Sequence, residues 1–166
     1  MVKRTMIRKI IIEGPDCSGK STVVERIKNK LRWDSKSLHH LEGDQFSRYL
    51  TEYALADKVV FDRSHFSEMV YGALWRGGSP FTDLEEHVLE FLAQKDAIII
   101  FACPSVELLE ERYQARSFEQ QIKLKELKKA RDLFIEKMCE IGALIYGSES
   151  YEELDKLIGE VEKRVK

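Results

Sequence analysis

The run Gly14-Pro15-Asp16-Cys17-Ser18-Gly19-Lys20-Ser21-Thr22 fits GxxxxGK[ST], the pattern of a loop that holds phosphate. Gly14 and Gly19 permit a turn whose backbone N–H groups face inward, toward phosphate oxygens. A helix opening near Lys20 would add its positive end. Lys20 would set its cation between the β- and γ-phosphates of ATP, and Ser21 would offer a hydroxyl to Mg²⁺. Asp16, Cys17, Ser18 and Thr22 complete the expected ATP-binding loop, with Cys17 read as a small residue the loop tolerates. A second chemical cluster is Val59-Val60-Phe61-Asp62-Arg63. Asp62, at a strand end, can reach Mg²⁺ or its water shell. Motor-type ATPases place a glutamate after that aspartate to activate water. Arg63 stands there instead, and a guanidinium suits a bidentate fork on a second phosphate group.

Both clusters need elements that carry them. Arg8 to Glu13 reads as a buried strand ending at Gly14, and Lys20 to Leu31 as a helix with Val24, Ile27 and Leu31 on one face. Ser37 to Leu41 reads as a weaker strand, Gln45 to Ala56 as a helix, and Lys58 to Asp62 as a strand. Helices are predicted over Ser64 to Trp75 and Asp83 to Gln94, the latter capped by Thr82 or Asp83. Ala97 to Ala102 is the clearest strand, and Ser105 caps the helix after it. A long helix from about Glu119 to Glu140, a short strand near Ala143 to Tyr146 and a last amphipathic helix follow. Apolar strands separated by helices imply a sheet covered on both faces. The expected class is α/β: a three-layer P-loop NTPase fold with a five-stranded parallel sheet. Ligands of such sheets bind at the carboxyl ends of strands, here Gly14 onward, Glu42 to Asp44, and Asp62 to Ser64.

Composition narrows the function classes. The 166 residues are 43% hydrophobic and 34% charged, the balance of a folded globular chain, read as a single domain. Lysine and arginine number 27 against 29 acidic residues, a net charge of −2, which argues against nucleic acid bound on a broad basic surface. The longest apolar run, Ala97 to Cys103, has seven residues, too few to span a membrane. The first residues do not read as a secretory leader. Three cysteines without a CxxC spacing exclude a disulfide framework or zinc ribbon, and a reducing cytoplasm is the expected compartment. No NKxD guanine motif occurs, and the histidines lack metal-ligand spacing.

The stretches IIIEGPDCSGKST and VVFDRSHFSEMVYG resemble the thymidylate kinase and deoxynucleoside kinase group of P-loop kinases. Glu13, Gly14, Asp16, Gly19, Lys20, Ser21 and Thr22 match the thymidylate kinase loop. Asp62, Arg63, Ser67 and Tyr71 match its DRY-x-x-S-x-x-x-Y, with Ser64 giving the Asp-Arg-Ser form closer to deoxynucleoside kinases. Arg112, Arg116 and Glu119 are similar to the group's arginine-bearing lid, expected around 112–121. The resemblance implies that Asp16 contacts the acceptor sugar and that Tyr71 belongs to the acceptor pocket. It implies that Arg112 and Arg116, four apart on one helix face, stabilise the transferring phosphoryl group. The group's REP element is replaced by Leu41-Glu42-Gly43-Asp44. In deoxynucleoside kinases a carboxylate in this region takes the proton from the 5′-hydroxyl, so Glu42 bears on the acceptor. Phe46 is one of several aromatic residues able to face a base.

The expected function is that of a nucleoside monophosphate kinase, moving the γ-phosphoryl of Mg-ATP to a (deoxy)nucleotide, thymidylate-like. Catalysis would fall to Lys20, Arg63, Arg112 and Arg116; Mg²⁺ to Ser21 and Asp62; the acceptor to Asp16, Glu42, Phe46, Arg63 and Tyr71. Two alternatives stay open: a deoxynucleoside kinase acting on a 5′-hydroxyl, and a non-catalytic nucleotide-binding module. A homodimer is compatible with the sequence.

Overall fold

The computed structural model describes residues 6–116 and 122–166. In chain order the elements are β1 (Lys9–Glu13), α1 (Lys20–Leu31), β2 (Asp34–Ser37), α2 (Gln45–Leu55), β3 (Val59–Asp62) and α3 (His65–Trp75). They continue as α4 (Asp83–Gln94), β4 (Ala97–Ala102), α5 (Val106–Gln114), α6 (Leu124–Glu140), β5 (Leu144–Tyr146) and α7 (Tyr151–Val165). The strands form one parallel sheet in the order β2-β3-β1-β4-β5.

Side chains alternate across a strand, and the inner strands are apolar on both parities. Ile11, Phe61, Ile99 and Phe101 face the layer built from α2, α3, α4, α5 and α6. Ile10, Ile12, Val60, Ile98 and Ile100 face α1 and α7. The result is the expected three-layer α/β sandwich. Ile10, Ile11, Ile12 and Ile100 are wholly excluded from solvent, each worth about 1.5–3 kcal/mol of transfer free energy. Helix starts are set locally: Asp44, Ser64, Thr82, Ser105 and Ser150 each accept a backbone N–H with their side chains. Thr82, rather than Asp83, caps α4, in a reciprocal box with Glu85. Among the described residues no helix is long and apolar enough to cross a membrane.

The second strand departs from expectation. It runs from Asp34 to Ser37, not from Ser37 to Leu41. Arg32 ends α1 in the left-handed conformation (φ 55°), Trp33 is buried, and the chain enters the sheet at once, Asp34 opposite Val59. As an edge strand it pairs on one side only and exposes all four residues, so it carries no apolar signature. Leu38, the buried residue just beyond, anchors the turn away: its N–H donates to Asp62 O at 2.9 Å. Glu42 therefore lies in an exposed loop, not at a strand end. The long sixth helix begins at Leu124, and residues 117–121 of the expected lid, Glu119 included, lie outside the described residues.

Candidate functional site

The loop between β1 and α1 has the backbone its glycines foretell. Gly14 (φ 145°) crosses under β4 so closely that a Cβ there would stand 2.4 Å from Ala102 O. Cys17 (φ 64°) and Gly19 (φ 91°) turn the chain into α1. Gly19 is the N-cap and offers no side-chain acceptor, so the first-turn N–H groups are free of a side-chain cap, the geometry that receives anions. Lys20 is buried and bridges the loop, its Nζ donating to Pro15 O at 2.7 Å. Burial first, and the nearby Arg63 guanidinium second, lower its pKa to about 8. The negative charge of a bound phosphate would oppose both effects.

The end of β1 is tied to the start of α3 by a buried carboxylate. Glu13 accepts from Ser64 Oγ (2.5 Å), Ser67 Oγ (2.7 Å) and the Ser67 N–H (3.3 Å). Burial raises its pKa, while those hydroxyls oppose the rise. This brace holds the turn in which Arg63 adopts a left-handed φ of 74°, a conformation that costs energy for a non-glycine residue and recurs at functional sites. Arg63 forms an ion pair with Asp16, and its guanidinium carbon sits 5.5 Å from the centroid of the Tyr71 ring. Burial works to raise the Asp16 pKa, but Arg63 and Lys20 prevail and hold it below the usual carboxylate range. Tyr71 stacks on Trp75 at 4.9 Å, and burial with Asp16 nearby pushes its hydroxyl up to about 12. Asp16, Arg63 and Tyr71, separate in sequence, thus form one contact set.

A cavity of about 600 Å³ opens beside this set. Its walls include residues 16–22, Asp62, Arg63, Arg112 and Arg116, together with the β5–α7 junction: Tyr146, Ser148, Glu149, Ser150, Tyr151 and Leu154. Lys20, Arg63, Arg112 and Arg116 line one space, a cationic concentration suited to a polyphosphate. Arg112 is engaged within the protein. It donates to Ser18 O at 3.1 Å, Ser148 Oγ at 2.7 Å and Ser148 O at 2.6 Å. Arg116 lies past Gln114, the last residue of α5, so the two arginines do not share a helix face as their spacing suggested. The carboxylates of β5–α7 and the wall they support were missed by sequence reasoning; the signal present was Ser150-Tyr151-Glu152-Glu153, a helix-capping pattern.

Three acceptor expectations find other surroundings. Glu42 is exposed and, with Phe46, is absent from the residues lining this cavity; Phe46 packs half-buried against the core, and Tyr71, also outside the lining, is buried behind Arg63. His65, read as having no role, is buried at the start of α3 against Tyr53, its Nδ1 2.8 Å from the Tyr53 hydroxyl. Burial lowers its pKa to about 3, so it stays neutral.

Ser21 and Asp62 line the same cavity, and Asp62 Oδ1 is buried with no hydrogen-bond partner among the described residues. Hydroxyl and carboxylate oxygens are the donors Mg²⁺ takes while phosphates and waters fill its remaining positions. Among the described residues no group of three or more His, Cys, Asp or Glu could hold a metal, so a cation at this place would share its shell with a ligand.

No family profile matches the chain. Among curated proteins it is similar to the uncharacterized SPbeta prophage-derived protein YorR of Bacillus subtilis, 25% identical over 142 residues, 82% of this chain and 86% of YorR. The crystal structure of YorR in complex with phosphorylated GDP superposes with a TM-score of 0.80 at 22% identity, covering 95% of each chain. Deoxyadenosine kinase from M. mycoides, solved with dCMP and a flexible dCDP, gives 0.65 at 14% identity over 93% of this chain and 98% of that one. The same enzyme with bound dATP gives 0.64 at 16% identity, over 93% and 99%. The chain has the P-loop deoxynucleoside kinase fold. In this fold β1 and β3 are neighbours, with Asp62 opposite Ile12 one residue before the end of β1, which is why two distant motifs open into one cavity.

Proposed function

We propose that this chain is a nucleotide kinase that transfers the γ-phosphoryl of Mg-ATP to a (deoxy)nucleoside 5′-monophosphate, thymidylate-like. The observation that carries the reading is the Asp16–Arg63–Tyr71 set beside Lys20, at the mouth of the loop and next to Asp62. The residues divide the work. The loop N–H groups and Lys20 hold the β- and γ-phosphates. Ser21 and Asp62 would hold Mg²⁺, which offsets charge on the bridging oxygens when bound. Arg63 forks the acceptor phosphate, and Asp16 fixes the direction of that fork. An oxygen of the acceptor phosphate attacks the γ-phosphorus, the bond to the β-phosphate oxygen breaks, and ADP leaves. That acceptor oxygen is already anionic, so the step needs no base. A free nucleoside would have to lose its hydroxyl proton, and Glu42 sits exposed on a loop and does not line the cavity.

The second reading, a deoxynucleoside kinase, is favoured by the Asp-Arg-Ser sequence at Asp62-Arg63-Ser64 and by the likeness to deoxyadenosine kinase. ADP release from Mg-ATP over a panel of nucleosides and 5′-monophosphates separates the two. Turnover with a monophosphate is expected. Robust phosphorylation of a free nucleoside, with none of any monophosphate, overturns the first reading.

The arginines divide as well. Arg112 is engaged by Ser18 and Ser148, whereas Arg116 lines the cavity and its positive charge acts on Asp16 and Cys17. Arg116→Ala should lower kcat by about 10²-fold with ATP KM nearly unchanged. Arg112→Ala should mainly raise ATP KM. Steady-state kinetics on both variants checks the division; equal kcat losses would return both arginines to the transferring group.

A further inference from the structure

The β5–α7 junction supplies a wall of the cavity, and its shape depends on a side chain that does not line the cavity. Glu153, in the first turn of α7, accepts the Gly147 N–H at 2.6 Å and the Glu149 N–H at 3.0 Å, one on each carboxylate oxygen. Between these donors Ser148 is buried in the left-handed conformation (φ 63°). Backbone N–H groups flanking a left-handed residue form a concave nest for an anion. Here the anion belongs to the chain. Gly147 makes room for it, since a Cβ there would lie 3.0 Å from Glu153 Oε1. On its other side Ser148 gives its carbonyl and hydroxyl to Arg112, which also holds Ser18 O of the phosphate loop. The wall is therefore clamped between an internal carboxylate and an arginine tied to the loop.

We propose that Glu153 is a positioning residue for the donor nucleotide, fixing residues 147–149 against the phosphate loop and so setting how tightly the cavity holds a nucleoside triphosphate. The proposal rests on the kinase reading above. A carboxylate is required because both partners are N–H donors. Glu153→Gln is isosteric, keeps the Glu153 N–H bond to Ser150 Oγ that caps α7, and turns an NH₂ toward one of the two donors. Losing one charge-assisted bond and leaving its donor unpaired corresponds to about a tenfold loss.

The test is ATP affinity by calorimetry together with steady-state kinetics for wild type, Glu153→Gln, Gly147→Ala and Glu152→Gln. Glu152 is exposed in the same helix turn and pairs with Lys156, so it controls for lost charge at the helix start. Glu153→Gln is expected to weaken ATP about tenfold in both Kd and KM, with kcat at saturation within about threefold and acceptor KM unchanged. Gly147→Ala, which displaces the carboxylate without removing it, should give a smaller loss of the same kind, and Glu152→Gln none. Wild-type ATP affinity in Glu153→Gln, or a loss confined to kcat, overturns the positioning role while the kinase reading stands. A wild-type protein that binds no nucleotide overturns both.

Discussion

Lys20→Met is expected to remove phosphoryl transfer while making the protein more stable. The activity loss should be on the order of 10²–10³ in kcat, the usual effect of deleting one preorganised donor to a transferring group. The stability gain follows from burial. In the folded chain Lys20 titrates at about 8 against 10.5 for an ordinary lysine. At pH 7 holding the ammonium in place therefore costs roughly 3 kcal/mol at about 1.4 kcal/mol per pH unit. Methionine matches the lysine stem in length and needs no solvation. Asp16 loses one of the cations that hold its pKa down, which offsets part of the gain, so a net rise of about 1–2 kcal/mol is expected, roughly 2–8 °C in Tm for a chain of this size. The pH dependence carries the sign. Between about pH 8 and 10.5 the unfolded chain holds a proton that the folded chain has released, so wild-type stability rises across that window. The gap to Lys20→Met should close over the same range. ATP affinity of the wild type should fall as pH rises through about 8, with proton uptake on binding visible as a buffer-dependent calorimetric heat. Thermal melts from pH 7 to 10.5 and kinetics on the variant check all of this; a destabilised, active Lys20→Met would remove Lys20 from the site.

Arg63→Lys is expected to cost about 10- to 100-fold in kcat/KM for the acceptor, and Glu42→Gln less than about twofold. Lysine keeps the charge but cannot reproduce a planar fork, and Arg63 is held in one orientation by Asp16 and the Tyr71 face. Its left-handed backbone serves lysine no worse than arginine, so the fold should survive the change. Glu42 is exposed in the loop between β2 and α2 and does not line the cavity that holds the phosphate loop and Arg63. If the acceptor were a nucleoside and Glu42 its base, the pattern would invert, with Glu42→Gln losing about 10²–10⁴. Measuring both variants on the best monophosphate and the best nucleoside decides between them.

Features encoded by local chemistry were legible along the chain. Gly14 and Gly19 are needed for backbone angles, Lys20 and Ser21 follow at fixed spacing, and the inner strands are apolar on both parities because both of their faces are covered. Asp62 and Arg63 were legible for the same reason: a strand end and the residue after it are neighbours in sequence. Folding alone sets the features whose partners are distant or where burial, the source of pattern, is missing. The edge strand Asp34–Ser37 is exposed throughout, so the apolar pattern pointed three residues too late and set Glu42 at a strand end it does not occupy. The pairing of Asp16 with Arg63 spans 47 residues, and the bonds from Arg112 reach back 94 residues to Ser18 and forward 36 to Ser148. No spacing rule reports such contacts, because they exist only once β1, β3, β4 and β5 lie side by side and bring their following loops to one edge of the sheet. The nest that Glu153 fills was invisible for a subtler reason. Its sequence is that of an ordinary helix cap, and only the left-handed turn at Ser148 aims two backbone donors at the carboxylate.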